Sequence, residues 1–225
     1  MSEQRSSSET GQDLGTPRLV IAVDGPAASG KGTIARALAH HFGLPHLDTG
    51  SLYRSVALML WRWGGDPGNE FAALRACQDI NIDPDDPELR SEAVSSIASR
   101  ISTYPSVRSA LLERQQMFAA QPGGAVLDGR DIGTVIAPDA SVKLFVTASA
   151  DVRADRRLNE LLKRGMPAHR EEVLRDIQAR DERDSGRSMA PLRQADDAVL
   201  LDTSDLTVEQ AVARAIELAV QQRGR

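Results

Sequence analysis

The chain has 225 residues and a formal net charge of −5, enough for one good hydrophobic core and the wrong charge for a general nucleic-acid-binding surface. No apolar run approaches the ~20 residues of a membrane span, and the N-terminus lacks the apolar core of a secretion signal. With one cysteine, Cys77, no internal disulfide can form, so the expected setting is a reducing cytoplasm in which Cys77 is a small buried residue.

Composition is otherwise that of an ordinary globular protein, 41% hydrophobic and 26% charged. The basic residues are lopsided: only Lys31, Lys143 and Lys163 are lysines. Genome bias can produce that, but arginines clustered at one spacing also suit bidentate phosphate recognition. The histidines, His40, His41, His46 and His169, show no metal-ligand spacing and read as structural or surface residues.

Residues 1–16 are rich in Ser, Glu, Gln and Gly and read as a disordered tail. A first strand is expected over Arg18 to Val23, followed by Gly25-Pro26-Ala27-Ala28-Ser29-Gly30-Lys31-Gly32-Thr33 and a helix to about Phe42. The spacing Gly25-x-x-x-x-Gly30-Lys31 between a strand and a helix is that of a phosphate-binding P-loop. Small residues let successive amides converge on an anion, the helix dipole points at the same place, and Lys31 adds a point charge for the outer phosphates. A ligand-free turn is the bland alternative. The hydroxyl expected right after the lysine is replaced by Gly32, which moves the expected magnesium ligand to Thr33.

Gly43 and Pro45 end that helix. A short strand, Pro45 to Leu47, leads to Asp48-Thr49-Gly50-Ser51-Leu52-Tyr53-Arg54 and a helix to about Trp63. Asp48 or Thr49 serves either as its cap or as a ligand contact, and Arg54 can turn a guanidinium toward the P-loop. After the break at Gly64 to Gly68, the chain to Met117 reads as an inserted, mobile helical subdomain, with Ile80 to Ile82 as a possible brief strand, a turn at Asp83 to Pro87, and Arg100 and Arg108 at its hinge. Ala125 to Leu127 reads as a buried strand ending in Asp128-Gly129-Arg130-Asp131. Ligands bind at the carboxyl ends of strands in open α/β sheets, so Asp128 is assigned toward the metal, and Arg130 and Asp131 toward substrate, with a satisfied ion cluster as the alternative. Gly133 to Ala137 is a connector and Val142 to Thr147 the next strand.

A helix over Ala148 to Gly165 carries Arg153, Arg156 and Arg157 on one face. They either form a solvated face relieved by Asp151 and Asp155 or meet phosphates. A second helix, about Arg170 to Arg183, begins the arginine-rich run Arg180 to Arg187, and the two helices together suggest a closing lid. A last strand (Ala198 to Leu201) and an amphipathic helix (Thr207 to Val220, with Val208, Ala211, Val212, Ile216 and Ala219 on one side) complete about five alternating β/α units, and so an α/β fold with a parallel sheet.

Taken together, Gly25 to Thr33 with its Gly-Lys-Gly-Thr ending, Asp48-Thr49-Gly50-x-x-Tyr53-Arg54, Pro105-x-Val107-Arg108, Asp128-Gly129-Arg130-Asp131-x-Gly133-Thr134 and Arg180-Asp181-x-Arg183-Asp184-x-x-Arg187 closely resemble bacterial cytidylate kinases. The resemblance covers the chain from about Arg18 onward. It implies a P-loop nucleoside monophosphate kinase fold with a five-stranded parallel sheet, a core (17–64, 120–150, 193–225), a monophosphate-binding insert (65–119) and a lid (151–192). It also implies a cytoplasmic, monomeric enzyme with Mg2+ that transfers the γ-phosphoryl of ATP to CMP or dCMP, without a nucleic-acid polymer or membrane as partner. Gly25, Pro26, Ala27, Ala28, Ser29, Gly30, Lys31, Gly32, Thr33 and Arg153 would hold ATP. Asp48, Thr49, Tyr53, Arg54, Ser99, Arg108, Arg130, Asp131, Arg180, Asp184 and Arg187 would surround CMP, with Arg180 and Asp184 at the base and Arg54, Arg108 and Arg130 at its phosphate. Lys31, Arg130, Arg157 and Arg187 would form the catalytic charge clamp, with Thr33 and Asp128 toward the metal. Ser51 stands where alanine is expected, and Ile80 to Leu89 leaves room for little more than a turn where the family carries a β-hairpin. The competing readings are a related kinase acting on UMP or AMP, a non-catalytic nucleotide-binding regulator, and a GTPase, which lacks its Asn-Lys-x-Asp here.

Overall fold

The computed structural model describes residues 18–78, 80, 83 and 85–224; the expected N-terminal tail, most of the possible strand at Ile80 to Ile82, and Pro84 of the turn at Asp83 to Pro87 lie outside them. Among the described residues, five parallel strands form one sheet in the order β2-β3-β1-β4-β5. They are β1 (Leu19–Asp24), β2 (His46–Asp48), β3 (Gly124–Gly129), β4 (Val142–Thr147) and β5 (Val199–Asp202). The helices are α1 (Lys31–Phe42), α2 (Thr49–Arg62), α3 (Glu70–Ala76), α4 (Glu92–Ile101), α5 (Pro105–Ala119), α6 (Ala150–Lys163), α7 (Arg170–Ser185) and α8 (Val208–Arg223).

The central strands are apolar on both faces, as a parallel sheet covered by helices on each side requires. Leu19, Ile21 and Val23 of β1 face Ile34 and Leu38 of α1 and Ala215 and Leu218 of α8. The alternate residues Val20 and Ala22 face Ala119, Leu127 and Ile132 on the other side. The register aligns the strand ends, pairing Asp24 with Gly129 and Asp48 with Asp128. The P-loop, the start of α2 and the segment after β3 therefore open on one edge.

Two smaller helical units carry their own apolar centres. Helices α2 to α5 enclose Val56, Leu58, Ala73, Val94, Ile101 and Leu111. Helices α6 and α7 enclose Ala154, Leu161, Val173 and Ile177, with Ala28 of the P-loop packed against them. Between α3 and α4 the described residues form a 3-10 turn at Pro87–Arg90. The expected pair of hinge arginines separates: Arg100 stays exposed, whereas Arg108 turns inward and is buried. On α8 the capping box of Thr207 and Gln210 sets the start, but Val208 is exposed and the stripe packed into the core begins at Ala211.

Candidate active site

The P-loop is shaped by backbone constraints. Gly25 has φ +154°, and a Cβ there would come within 2.0 Å of the Val146 carbonyl oxygen, so the loop passes β4 at a distance only glycine permits. Gly30 (φ +91°) precedes α1 with no side-chain cap, leaving the first amides of the helix free for an anion. The Ser29 hydroxyl is buried and unpartnered. Lys31 reaches back over the loop to the Pro26 carbonyl at 3.1 Å.

The opposite wall is assembled from distant segments. Arg54 donates to Asp48 at 2.6 Å, and the Thr49 hydroxyl donates to the Asp128 carbonyl at 2.8 Å. Asp48 thus sits at the N-cap position of α2 without capping it through its side chain. Arg108 of α5 pairs with Asp131 and lies 5.8 Å from the centre of the Tyr53 ring. Arg130 donates to Asp184 at 2.7 Å, and Arg187 pairs with the other Asp184 oxygen. Both oxygens of Asp184, expected at the base, are therefore engaged by arginines. Asp131, by contrast, shares a slot with Tyr53, Arg108, Gln115, Met189 and Ala190. Ser99 accepts from Arg183 at 3.2 Å, joining α4 to α7.

These charges perturb one another. Burial pushes the Lys31 ammonium down to about 7, and the nearby Arg130 adds to the effect. Burial also lowers Arg180, to about 10, with Arg130, Arg54 and Arg157 repelling it. Its Nε has no partner, and among the described residues it forms no ion pair. Burial opposes ionisation of Asp184, yet Arg130 and Arg187 pull its carboxyl down to about 2. At Asp48, too, burial is outweighed, here by Arg54, and the carboxyl stays below the ordinary range. The result is a concentration of cations at the P-loop mouth that an anion between them would stabilise.

The face of α6 does not behave as one unit. Arg153 is buried, pairs with Asp181 at 2.6 Å and reaches the Ala27 carbonyl at 3.4 Å. Arg156 donates to the Ser29 carbonyl and to Thr203. Arg157 pairs with Glu92 and Glu160. The solvated alternative is set aside on this packing. Asp151 and Asp155, expected to relieve these arginines, pair with Arg170 instead, because they lie on the side of α6 that faces the start of α7. His46, read as structural or surface, lies 2.7 Å from the second oxygen of Asp128; its place on β2 beside β3 decides this, and no local spacing marks it. Asp24, directly before Gly25, carries no local signal either and accepts from two amides of the segment after β3.

Thr33 and Asp128 fit the hard oxygen donors of a magnesium site. Thr33 is exposed at the start of α1, and Asp128 Oδ1 lies 3.8 Å from where a Gly32 Cβ would stand. Among the described residues there is no cluster of three or more acidic, His or Cys groups for a metal, so phosphates and water would complete the coordination. A cavity of about 290 Å³ beside Arg18, Gln116 and Asp139 lies at the other end of the sheet, away from this chemistry.

A P-loop after β1 of a five-stranded parallel sheet, faced by arginine-bearing helices, defines a P-loop phosphotransferase of the nucleoside monophosphate kinase type. The family model described as cytidylate kinase matches residues 21–221, and the chain belongs to that family. A protein named cytidylate kinase from Xanthobacter autotrophicus is 56% identical over 206 residues, covering 91% of this chain and 99% of its own. One of the same name from Azorhizobium caulinodans is 53% identical over 207 residues, covering 92% and 100%. A crystal structure of an uncharacterized protein from Eubacterium ventriosum aligns at a TM-score of 0.53 with 15% identity, covering 90% of this chain and 99% of that one; that likeness concerns the fold alone.

Proposed function

We propose that this protein transfers the γ-phosphoryl group of ATP to CMP or dCMP, giving ADP and CDP or dCDP. The observation that carries the reading is the convergence of Lys31, Arg54, Arg130 and Arg180 on the P-loop mouth, where Arg180 feels Asp184 but forms no ion pair among the described residues and its Nε has no hydrogen-bond partner. The acceptor is a phosphate with a second pKa near ~6, already largely ionised at neutral pH. The barrier is charge repulsion between two polyanions, so cations fixed in a dry cleft are the required machinery and a general base is not. Amides of the P-loop and Lys31 hold the donor phosphates. Arg54, Arg130 and Arg180 draw in the acceptor phosphate, and Arg187 and Arg157 complete the clamp as the cleft closes. Mg2+, held by Thr33 and Asp128 together with phosphate oxygens, would supply further charge neutralisation.

Helices α3 to α5 act as the monophosphate-binding insert, and α6 and α7 as the lid that excludes water. The base is assigned to the slot between Tyr53 and Met189. There the Asp131 carboxylate can accept from the cytosine amino group, which uracil lacks. Asp184 orients Arg130 and Arg187 instead. The protein works as a cytoplasmic monomer with small nucleotides as its partners; no helix among the described residues is long and apolar enough to cross a membrane. The test is ADP release from ATP and magnesium with CMP, dCMP, UMP, AMP and GMP offered separately. Turnover on CMP and dCMP is expected. Preference for UMP or AMP would move the protein to a sister kinase, and nucleotide binding without turnover would make it a regulator.

A further inference from the structure

Asp24 is a buried carboxylate that the phosphoryl-transfer reading does not use. It ends β1, one residue before the P-loop, and is 5% exposed. Its Oδ1 accepts from the Ile132 amide and its Oδ2 from the Gly133 amide, each at 2.8 Å. Those two amides open the π-helical turn Ile132–Ile136, whose N-cap residue is Asp131. The first amides of any helical turn lack internal partners, and an aspartate at the N-cap normally supplies them. Asp131 makes no such cap bond; its carboxylate is on Arg108.

We infer that Asp24 is a positioning residue that caps this turn from the neighbouring strand and thereby releases the Asp131 carboxylate to hold Arg108 in the acceptor slot. The carboxylate is the right group because it offers two acceptors to two parallel donors; an asparagine offers one. The bracket also ties the donor side to the acceptor side, since the same residue precedes Gly25 and fixes the loop carrying Arg130. Its surroundings set burial, which disfavours the charge, against the two amide bonds, which favour it. Burial pushes the carboxyl up to about 7, although both amides pull it down. The charged groups near it are Asp131 and Arg130 of the loop. Lys143 of β4 passes Gly133 with its stem, and its ammonium is held by Asp197.

The role in CMP binding rests on the function proposed above, so the test has one arm that depends on it and one that does not. Asp24→Asn should recruit Asp131 to the vacated amide, weakening CMP binding by about 10-fold or more while ATP affinity stays within about twofold, both measured by calorimetry on the folded variant. Unchanged CMP affinity, or equal loss for ATP and CMP, would overturn the assignment. Gly133→Ala, which sets a methyl 3.4 Å from Asp24 Oδ2 and 3.2 Å from the Lys143 stem, should show the same split and serves if Asp24→Asn does not fold. In the second arm, the amide proton signals of Ile132 and Gly133 should titrate together near pH 7 in the wild type and lose that transition in Asp24→Asn. Separate midpoints for the two signals, or a transition that survives in Asp24→Asn, would remove the bracket. A wild type that fails to bind CMP would overturn the acceptor reading, while these signals would still decide Asp24.

Discussion

The two walls of the cleft are built on different principles. The side proposed for the donor is one contiguous run, Gly25 to Thr33, made mostly of main-chain amides held by a glycine whose Cβ would stand 2.0 Å from a β4 carbonyl and by a left-handed glycine before α1. The side proposed for the acceptor is made of side chains from α2, α5, the segment after β3 and α7. Its arginines come largely neutralised by carboxylates: Arg54 by Asp48, Arg108 by Asp131, and Arg130 and Arg187 by Asp184. Backbone dipoles can wait for an anion at little cost, because water satisfies them in the meantime. Buried guanidinium groups cannot, because their desolvation must be offset within the protein. Paired charges are the solution where recognition needs rigid, directional arginines; Lys31 and Arg180, which form no ion pair among the described residues, are the proposed meeting point for a ligand's charge.

The comparison can be broken most directly at Lys31. Lys31→Met should lower kcat on the order of 10³-fold, because the other cations on the loop, Arg153 and Arg156, are held by Asp181 and Thr203 and by loop carbonyls. Near-normal turnover would place the charge stabilisation on the arginine side alone.

Asp184→Asn probes the opposite wall. It leaves Arg130 and Arg187 without their shared carboxylate and should destabilise the fold by about 3 kcal/mol at pH 7, measured by urea unfolding. Because the Asp184 carboxyl is held at about 2 against an ordinary 3.8, its contribution is present above about pH 4 and lost as pH falls toward 2, so the deficit should shrink in acid. Asp24 runs the other way: with its carboxyl raised to about 7, the stability it contributes is present below about pH 4 and is lost as pH rises through 7. A deficit in Asp184→Asn that does not change with pH would mean that the arginines are held by packing and not by the carboxylate.

Asp131→Asn should cut the preference for CMP over UMP by roughly 10-fold, in keeping with about 1–3 kcal/mol for a base-reading pair, measured as a ratio of kcat/KM values. Asp184→Asn should leave that ratio unchanged while lowering both rates; the reverse pattern would return base reading to Asp184. The smallest effect is expected at Glu92, which joins α4 to Arg157 of α6 at a partly exposed site. Glu92→Gln should change stability by less than about 1 kcal/mol and CMP KM only a few-fold. A large loss of turnover would show that the pair sets closure of the lid on the insert.

Local sequence carried the strand–loop–helix of the P-loop, the alternating β/α pattern and the set of motif residues, because each rests on local conformation: glycine freedom, caps, and periodicities of two and 3.6 residues; helix ends were less legible, α8 running to Arg223 where Val220 was expected. It also marked the short spacing between Ile80 and Leu89, where the described chain makes a 3-10 turn. Only the tertiary structure decided which charges meet. Asp151 and Asp155 turned to Arg170 and not to the arginines of their own face, Arg153 became a buried strut to Asp181, and His46 met Asp128 across 82 residues of chain. Asp24 met amides 108 and 109 residues away. Such pairings follow from the sheet register and helix packing, which bring distant side chains within a few ångströms, and Coulomb interactions at that range decide the site without leaving a periodic trace in the sequence.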